Sequence, residues 1–302
     1  MGDQRGGGIA WTEYTWNCLR GCSKVSEGCR NCYAIRVAAR FSGPGMPYEG
    51  LASRNPDNWT GEIRLIERAL TQPLKWNRPR LVFVNSMSDV FHENVPDEWI
   101  DLIFAVMWMA ERHTFQILTK RHERMYRYLT DKNVLDRIMG AAWRVDPDRA
   151  KTMTLLQEFW PLRNVWLGVS VEDQESYDSR LECLVRSPAV VRWLSVEPLI
   201  GPIALGLIGT LPGTWTGGAY RLLVDRLQWI VVGGESGPGA RPMDQKWVGD
   251  LLLECKQADV PFFFKQGSEN GWSDFKNYDA MPELFRVRQW PKEWMGADGV
   301  GV

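Results

Sequence analysis

The sequence predicts an α/β fold, a partial or open (β/α) barrel with parallel strands and inserted loops. Three observations predict it. Short apolar or β-branched runs recur along the chain, each run ends in polar residues, and amphipathic stretches separate several of them. Runs this short do not make helices, and runs this unbroken suit strands buried on both faces. Strands that alternate with helices imply parallel βαβ units.

In chain order the expected strands are Leu81–Val84, Thr114–Leu118, Val165–Val169, Val190–Leu194, Trp229–Val232 and Val260–Phe264, with Gly8–Trp11 as a seventh. Pro96–His113 repeats apolar residues at helical spacing after an acidic first turn, and Arg121–Ile138 and Gln245–Ala258 behave similarly. Phe41–Thr60 is rich in Gly, Pro and Asn and reads as a long loop. Leu205–Asp225 reads as an inserted excursion, and the tail from Gly267 onward as irregular structure packed across the barrel. No linker interrupts residues 1–302, which are taken as a single domain. In such a barrel the functional residues sit at the carboxyl ends of the strands. Those ends carry Asn85, Ser86, Asp89, Thr119, Lys120, Ser170, Glu172, Ser195, Glu197, Glu235, Ser236, Lys265 and Gln266. Ser and Asp at these positions also cap the helices that follow.

Composition narrows the function classes. The 302 residues carry 36 Lys and Arg against 37 Asp and Glu, which excludes a broadly basic DNA-coating protein but not a local basic face. No apolar run approaches the ~18 residues of a membrane span, and the start MGDQRGGGIAWTEY has no apolar core of a secretory signal. A cytoplasmic protein with no membrane partner is expected. The 16 tryptophans suit a large aromatic core or faces that stack bases, and composition does not separate the two. The 6 cysteines lie at 18, 22, 29, 32, 183 and 255, so four of them crowd into one short stretch. In a reducing compartment such crowding points to metal binding or redox chemistry.

Residues 16–34 read WNCLRGCSKVSEGCRNCYA, with the spacing C-x3-C-x6-C-x2-C. Two metal readings compete. Four thiolates make a closed tetrahedral zinc site that serves folding. Three thiolates, Cys22, Cys29 and Cys32, hold a [4Fe–4S] cluster and leave one iron open to a ligand. Spacing favours zinc slightly, and a (β/α) barrel with the cluster near its first strand favours the open iron.

The stretch WTEYTWNCLRGCSKVSEGCRNCYA resembles the signature of phage-associated proteins of the radical S-adenosylmethionine (SAM) superfamily, roughly W-T-x-x-T-W-N-P-x-x-G-C-x-x-V-S-x-G-C-x-N-C-Y-A. The resemblance continues through GVSVED at 168–173, SVEPL at 195–199, VVGGESGPGARPM at 231–243 and PFFFKQ at 261–266. It covers most of the chain, in order. At position 18 the pattern has proline and this chain has Cys18, which makes Cys18 a bystander and Cys22, Cys29 and Cys32 the cluster ligands. The x6-x2 spacing is wider than the common x3-x2 loop, and Gly21 and Gly28 allow the turn it requires.

The resemblance implies a [4Fe–4S] cluster and SAM as cofactors, an external one-electron donor, and a 5′-deoxyadenosyl radical that takes a hydrogen atom from substrate. Asn85, Ser86 and Asp89 follow the Leu81 strand, where radical SAM barrels contact the SAM amino group. By their place at strand ends Ser170 and Glu172 are candidates for its ribose or carboxylate, and Tyr33, beside the last ligand, is a candidate for packing near adenine. Glu197, Glu235, Arg241, Lys265 and Gln266 put charges and an amide at the barrel mouth, with Lys265, Glu235 and Glu197 as catalytic candidates. Lys265 follows FFF directly, so its head group is expected to be partly desolvated and its pKa lowered. Lys120, Arg121, Arg124 and Arg127, interleaved with Tyr126 and Tyr128, form a basic stretch suited to holding DNA, and an ordinary solvated helix face is the competing reading. His92, His113 and His122 have no ligand spacing, and no G-x-S-x-G elbow supports a Ser-His-Asp triad.

The phage association turns the substrate toward DNA: a modified thymine, isomerised from an N-linked to a C-linked glycinyl adduct. A lyase resembling spore photoproduct lyase is the second enzymatic reading. A zinc-stabilised DNA-binding protein without catalysis is the third.

Overall fold

The computed structural model describes residues 9–153, 156–206, 223–268 and 281–292. Strands β1 (Tyr14–Trp16) and β2 (Leu19–Arg20) precede helix α1 (Tyr33–Arg40). Short strands β3 (Ala52–Ser53), β4 (Asn58–Trp59) and β5 (Arg64–Leu65) and helix α2 (Glu67–Leu70) lead to β6 (Leu81–Val84). Then follow α3 (Asp97–Met109), β7 (Thr114–Thr119), α4 (His122–Leu129), α5 (Val134–Val145), α6 (Pro147–Thr152) and β8 (Val165–Val171). The last elements are α7 (Gln174–Arg186), β9 (Val191–Val196), β10 (Trp229–Gly233), α8 (Gln245–Gln257) and β11 (Phe262–Gln266).

The fold is α/β, with seven parallel strands in the order β1-β6-β7-β8-β9-β10-β11, the arrangement of a partial (β/α) barrel. The chain divides into two compact units, residues 1–167 with 186–190 and residues 168–185 with 191–302, and the division falls within β8.

In the first unit β1 pairs with β6 in the register Tyr14↔Val82 to Trp16↔Val84, and β6 pairs with β7 from Leu81↔Thr114 to Val84↔Ile117. Every residue of β6 is buried, as a strand covered on both faces requires. Trp16 is fully buried, its indole N–H donating to the Ala69 carbonyl at 2.8 Å. Helix α3 is buried from Ile103 to Met109, and a helix apolar all round belongs in a core. Its acidic first turn, Asp97 and Glu98, complements the helix dipole.

In the second unit β9 pairs with β10 from Trp229↔Trp193 to Val232↔Val196, and β10 pairs with β11 with a bulge between Val232 and Gly233. Trp193 and Trp229 pack with ring centres 5.4 Å apart, and Trp290 stacks on Trp229 at 5.2 Å. Residues 287–289 run along the outer edge of β11. Phe264 donates to the Val287 carbonyl at 2.8 Å, Gln289 to the Phe262 carbonyl at 2.9 Å, and the Trp229 indole to the Gln289 carbonyl at 2.8 Å.

Several expectations need correction. Residues 9–11 form a turn, and the seventh strand is Tyr14–Trp16. The helix expected over Arg121–Ile138 is two helices, α4 and α5, separated at Thr130–Asn133, where the Asp131 carboxylate accepts from the Asn133 amide at 2.8 Å and ends the helical ladder. The loop Phe41–Thr60 contains the antiparallel pair β3–β4. The helix begun at Pro96 ends at Met109, and the residues after Ala110 lead into β7. Most of the excursion at Leu205–Asp225, and the tail apart from residues 267–268 and 281–292, lie outside the described residues.

Candidate functional site

The first unit builds a site around the cysteine loop. Gly21 sits at φ +97°, and a Cβ there would meet the Glu62 carbonyl oxygen at 2.0 Å, so only glycine fits the turn. A short 3₁₀ turn, Glu27–Cys29, closes with the Cys29 amide donating to the Ser26 carbonyl at 2.9 Å. Cys32 stands at the N-cap of α1. Cys22, Cys29 and Cys32 are half-buried free thiols. Burial pushes the Cys22 thiol up to about 12, opposed by the Arg121 guanidinium, with Cys29 and Cys32 adding to the rise. Burial likewise raises Cys32, opposed by the amides of Ile35 and Ala34.

Cys18 is different. It is fully buried, its thiol donates to Asn85 Oδ1 at 3.6 Å, and burial pushes it up to about 12. Among the described residues no group of three or more His, Cys, Asp or Glu is already arranged to hold a metal ion. In donor chemistry the loop nevertheless fits a thiolate-bound cluster. It offers three soft ligands, helix amides at one of them and a guanidinium at another. A metal would replace the protons that burial otherwise holds on Cys22 and Cys32.

Arg121 and Asp89 lock the loop to the strand ends. Asp89 is buried and accepts from the Phe91 amide at 2.9 Å, the Thr119 hydroxyl at 2.7 Å, the Lys120 amide at 3.1 Å and Arg121 Nη1 at 3.1 Å. Arg121 also donates to Cys22 Sγ at 3.6 Å, to the Ser23 carbonyl at 3.0 Å and to Ser23 Oγ at 2.9 Å. His92 Nδ1 accepts from the Asn94 amide at 3.0 Å, so Nε2 carries the proton and donates to Ser23 Oγ at 2.8 Å. In that tautomer His92 does not serve as a base for Ser23, and burial lowers its pKa. Asn85 lies at φ 60° at the end of β6; its Oδ1 accepts from the Leu19 amide at 3.0 Å, and its buried Nδ2 has no partner. Tyr33 donates to the Ser86 carbonyl at 3.0 Å, and the Ser86 hydroxyl donates to Asn17 Oδ1 at 3.1 Å.

The second unit gathers a separate polar set at its strand ends. Lys265 Nζ stands 2.7 Å from Glu197 Oε1, and the Ser195 hydroxyl donates to Glu197 Oε2 at 3.2 Å. The Ser170 hydroxyl donates to the Glu197 carbonyl at 3.0 Å. Gly233 leaves room for that carboxylate: a Cβ there would meet Glu197 Oε1 at 2.8 Å. Glu172 is buried and forked by Arg180, at 2.9 and 3.2 Å. Glu235 accepts from the Arg241 amide at 2.8 Å and from its Nε at 3.1 Å, and Gln266 donates to the Gly234 carbonyl at 3.2 Å.

The family described as "Protein of unknown function (DUF5131)" matches residues 6–291. The chain belongs to that family. No curated protein and no solved structure matches it.

In this DUF5131 chain the basic stretch after β7 does not form one exposed face. Arg121 is buried, and Arg124 is spent on the carbonyls of His92, Glu93 and Val95 and on Asp97, 2.7 Å away. Tyr128 is buried against Asp101 at 2.7 Å, which leaves Arg127 exposed and Lys120 and Tyr126 half-buried. Lys120 lies close enough to Cys32 to oppose the rise in its pKa. Sequence reasoning missed Ser23, Glu93 and Arg180, and set His92 aside. Nothing local marks these residues, because their partners lie far along the chain, except Arg180, which sits two helical turns past Glu172.

Proposed function

We propose that this chain is a radical SAM enzyme of phage DNA modification, with Cys22, Cys29 and Cys32 holding a [4Fe–4S] cluster. Its substrate in this reading is a modified thymine, isomerised from an N-linked to a C-linked glycinyl adduct. The observation that carries the reading is the placement of three half-buried free thiols between the first parallel strand and the first helix of an α/β sheet. Cys18, committed to Asn85, is left out of the ligand set. When bound, the cluster and SAM supply a carbon-centred radical through one-electron cleavage of SAM, fed by an external donor.

The chain's own residues bind, orient and exclude water. The unpartnered Asn85 amide suits a carboxylate oxygen, while Asp89 is saturated and acts through Arg121 and Thr119. Ser86 and Tyr33 brace the end of β6. In the second unit Ser170 and Glu172 shape the strand ends, and the Lys265–Glu197 ion pair, 2.7 Å apart, sets an ammonium beside a carboxylate there. Glu235, Arg241 and Gln266 fix the glycine turn beside them. A base inside a duplex must be extruded before such residues reach it, so exposed or flipped DNA is the expected form of substrate. Six free thiols suit a reducing cytoplasm.

The test is iron and sulfide content after anaerobic purification, with electron paramagnetic resonance of the reduced protein with and without SAM. About four irons per chain and a spectrum altered by SAM support the reading. Zinc without iron overturns it and leaves a binding protein. DNA carrying glycine-modified thymine and ultraviolet-damaged DNA are then supplied in parallel, and repair of the damaged DNA alone would overturn the substrate assignment.

A further inference from the structure

We infer that Arg121 is a positioning residue that sets the reduction potential of the cluster through Cys22, an inference that rests on the cluster reading above. As a residue on an exposed basic stretch Arg121 would serve DNA. Its side chain is only 5% exposed, and its donors are committed inside the first unit. One arm reaches Cys22 Sγ and Asp89; the other reaches the Ser23 carbonyl and hydroxyl; Nε faces Glu93 at 3.4 Å.

Each of these anchors is itself held. Asp89 is fixed by Thr119 and by the amides of Phe91 and Lys120, and Ser23 Oγ is fixed by His92. The scaffold delivers a guanidinium to one ligand sulfur and keeps it there. A surface contact to phosphate needs none of it.

A cation and N–H donor held at a ligand sulfur stabilise the reduced, more negative cluster and raise its potential. Arginine suits the place because its planar fork reaches sulfur, carboxylate and carbonyl together, which an ammonium on a flexible stem does not.

The test uses the full chain, purified anaerobically from cells fed 15N-arginine. Pulsed electron paramagnetic resonance of the reduced wild type is expected to show a weak 15N coupling, since a nitrogen lies against a ligand sulfur. Redox titration is expected to give a more negative midpoint for Arg121→Gln than for wild type, with Arg121→Lys between them and iron content retained. Absence of the 15N coupling, or midpoints that do not move while iron is retained, overturns the inference and leaves the cluster reading standing. If Arg121→Gln fails to fold, the labelled wild type and Arg121→Lys still decide. A wild type without iron overturns the cluster reading and this inference together.

Discussion

Glu172 and Arg180 are a charge pair with almost no solvent, at 2% and 8% side-chain exposure. Removing one partner strands the other, and Arg180→Met is expected to lower unfolding stability by about 3–5 kcal/mol in urea titrations. Replacing both with apolar residues is expected to cost much less. His92 and His113 are both buried with lowered pKa values, His113 donating to the Pro73 carbonyl. Below the ordinary histidine pKa of about 6.5 the unfolded chain takes up protons that the folded chain refuses. Stability is therefore full above about pH 6.5 and falls as the pH is lowered through that value toward the folded pKa. Denaturation midpoints at about pH 7.5 and 5.5 are expected to differ in that sense, and His113→Asn is expected to reduce the difference. At the same scale, Cys18→Ala is expected to leave iron content unchanged while Cys22→Ala and Cys32→Ala abolish it, as read by metal analysis.

Elements show which sequence signals carry. The apolar runs located β6 to its end residues, because a strand buried on both faces announces itself as an unbroken run. β7, β8, β9 and β11 extend past their apolar runs into Thr119, Ser170, Val196 and Gln266, since backbone pairing continues where hydrophobicity stops. The first strand was misplaced because Tyr14–Trp16 mixes aromatics with threonine and has no apolar run. The break between α4 and α5 was written in Thr130–Asn133, a stretch of turn-forming residues inside an otherwise helical pattern. The site was legible in part. Cysteine spacing and strand-end polarity are local signals, whereas the commitment of Arg121 to Cys22 spans the chain from one element to another and leaves no trace in either. Gly168 illustrates a constraint of the same hidden kind: a Cβ there would meet the Trp193 indole at 2.5 Å. Gly168→Ala is expected to cost about 1–3 kcal/mol by overpacking β8 against β9, measurable as a lowered denaturation midpoint.

At the scale of the whole molecule, an open sheet leaves edges. The edge of β11 is covered by residues 287–289, which satisfy backbone groups of Phe262 and Phe264. Trp290 also stacks on Trp229 there. A chain ending at residue 280 is expected to expose that edge and to aggregate, detectable by light scattering during refolding. No described helix is long and apolar enough to cross a membrane.

The sheet's strand order, from β1 through β6 to β11, has a consequence for how the protein is made. Each parallel strand neighbours the one that left the ribosome before it, with no later strand inserted between earlier ones. Synthesis proceeds at about 5–20 residues per second, slow beside strand docking, so the growing sheet always offers the next strand a finished neighbour. The nascent sheet accretes from one side, and the segment that seals its β11 edge, residues 287–289, emerges after every strand of that sheet.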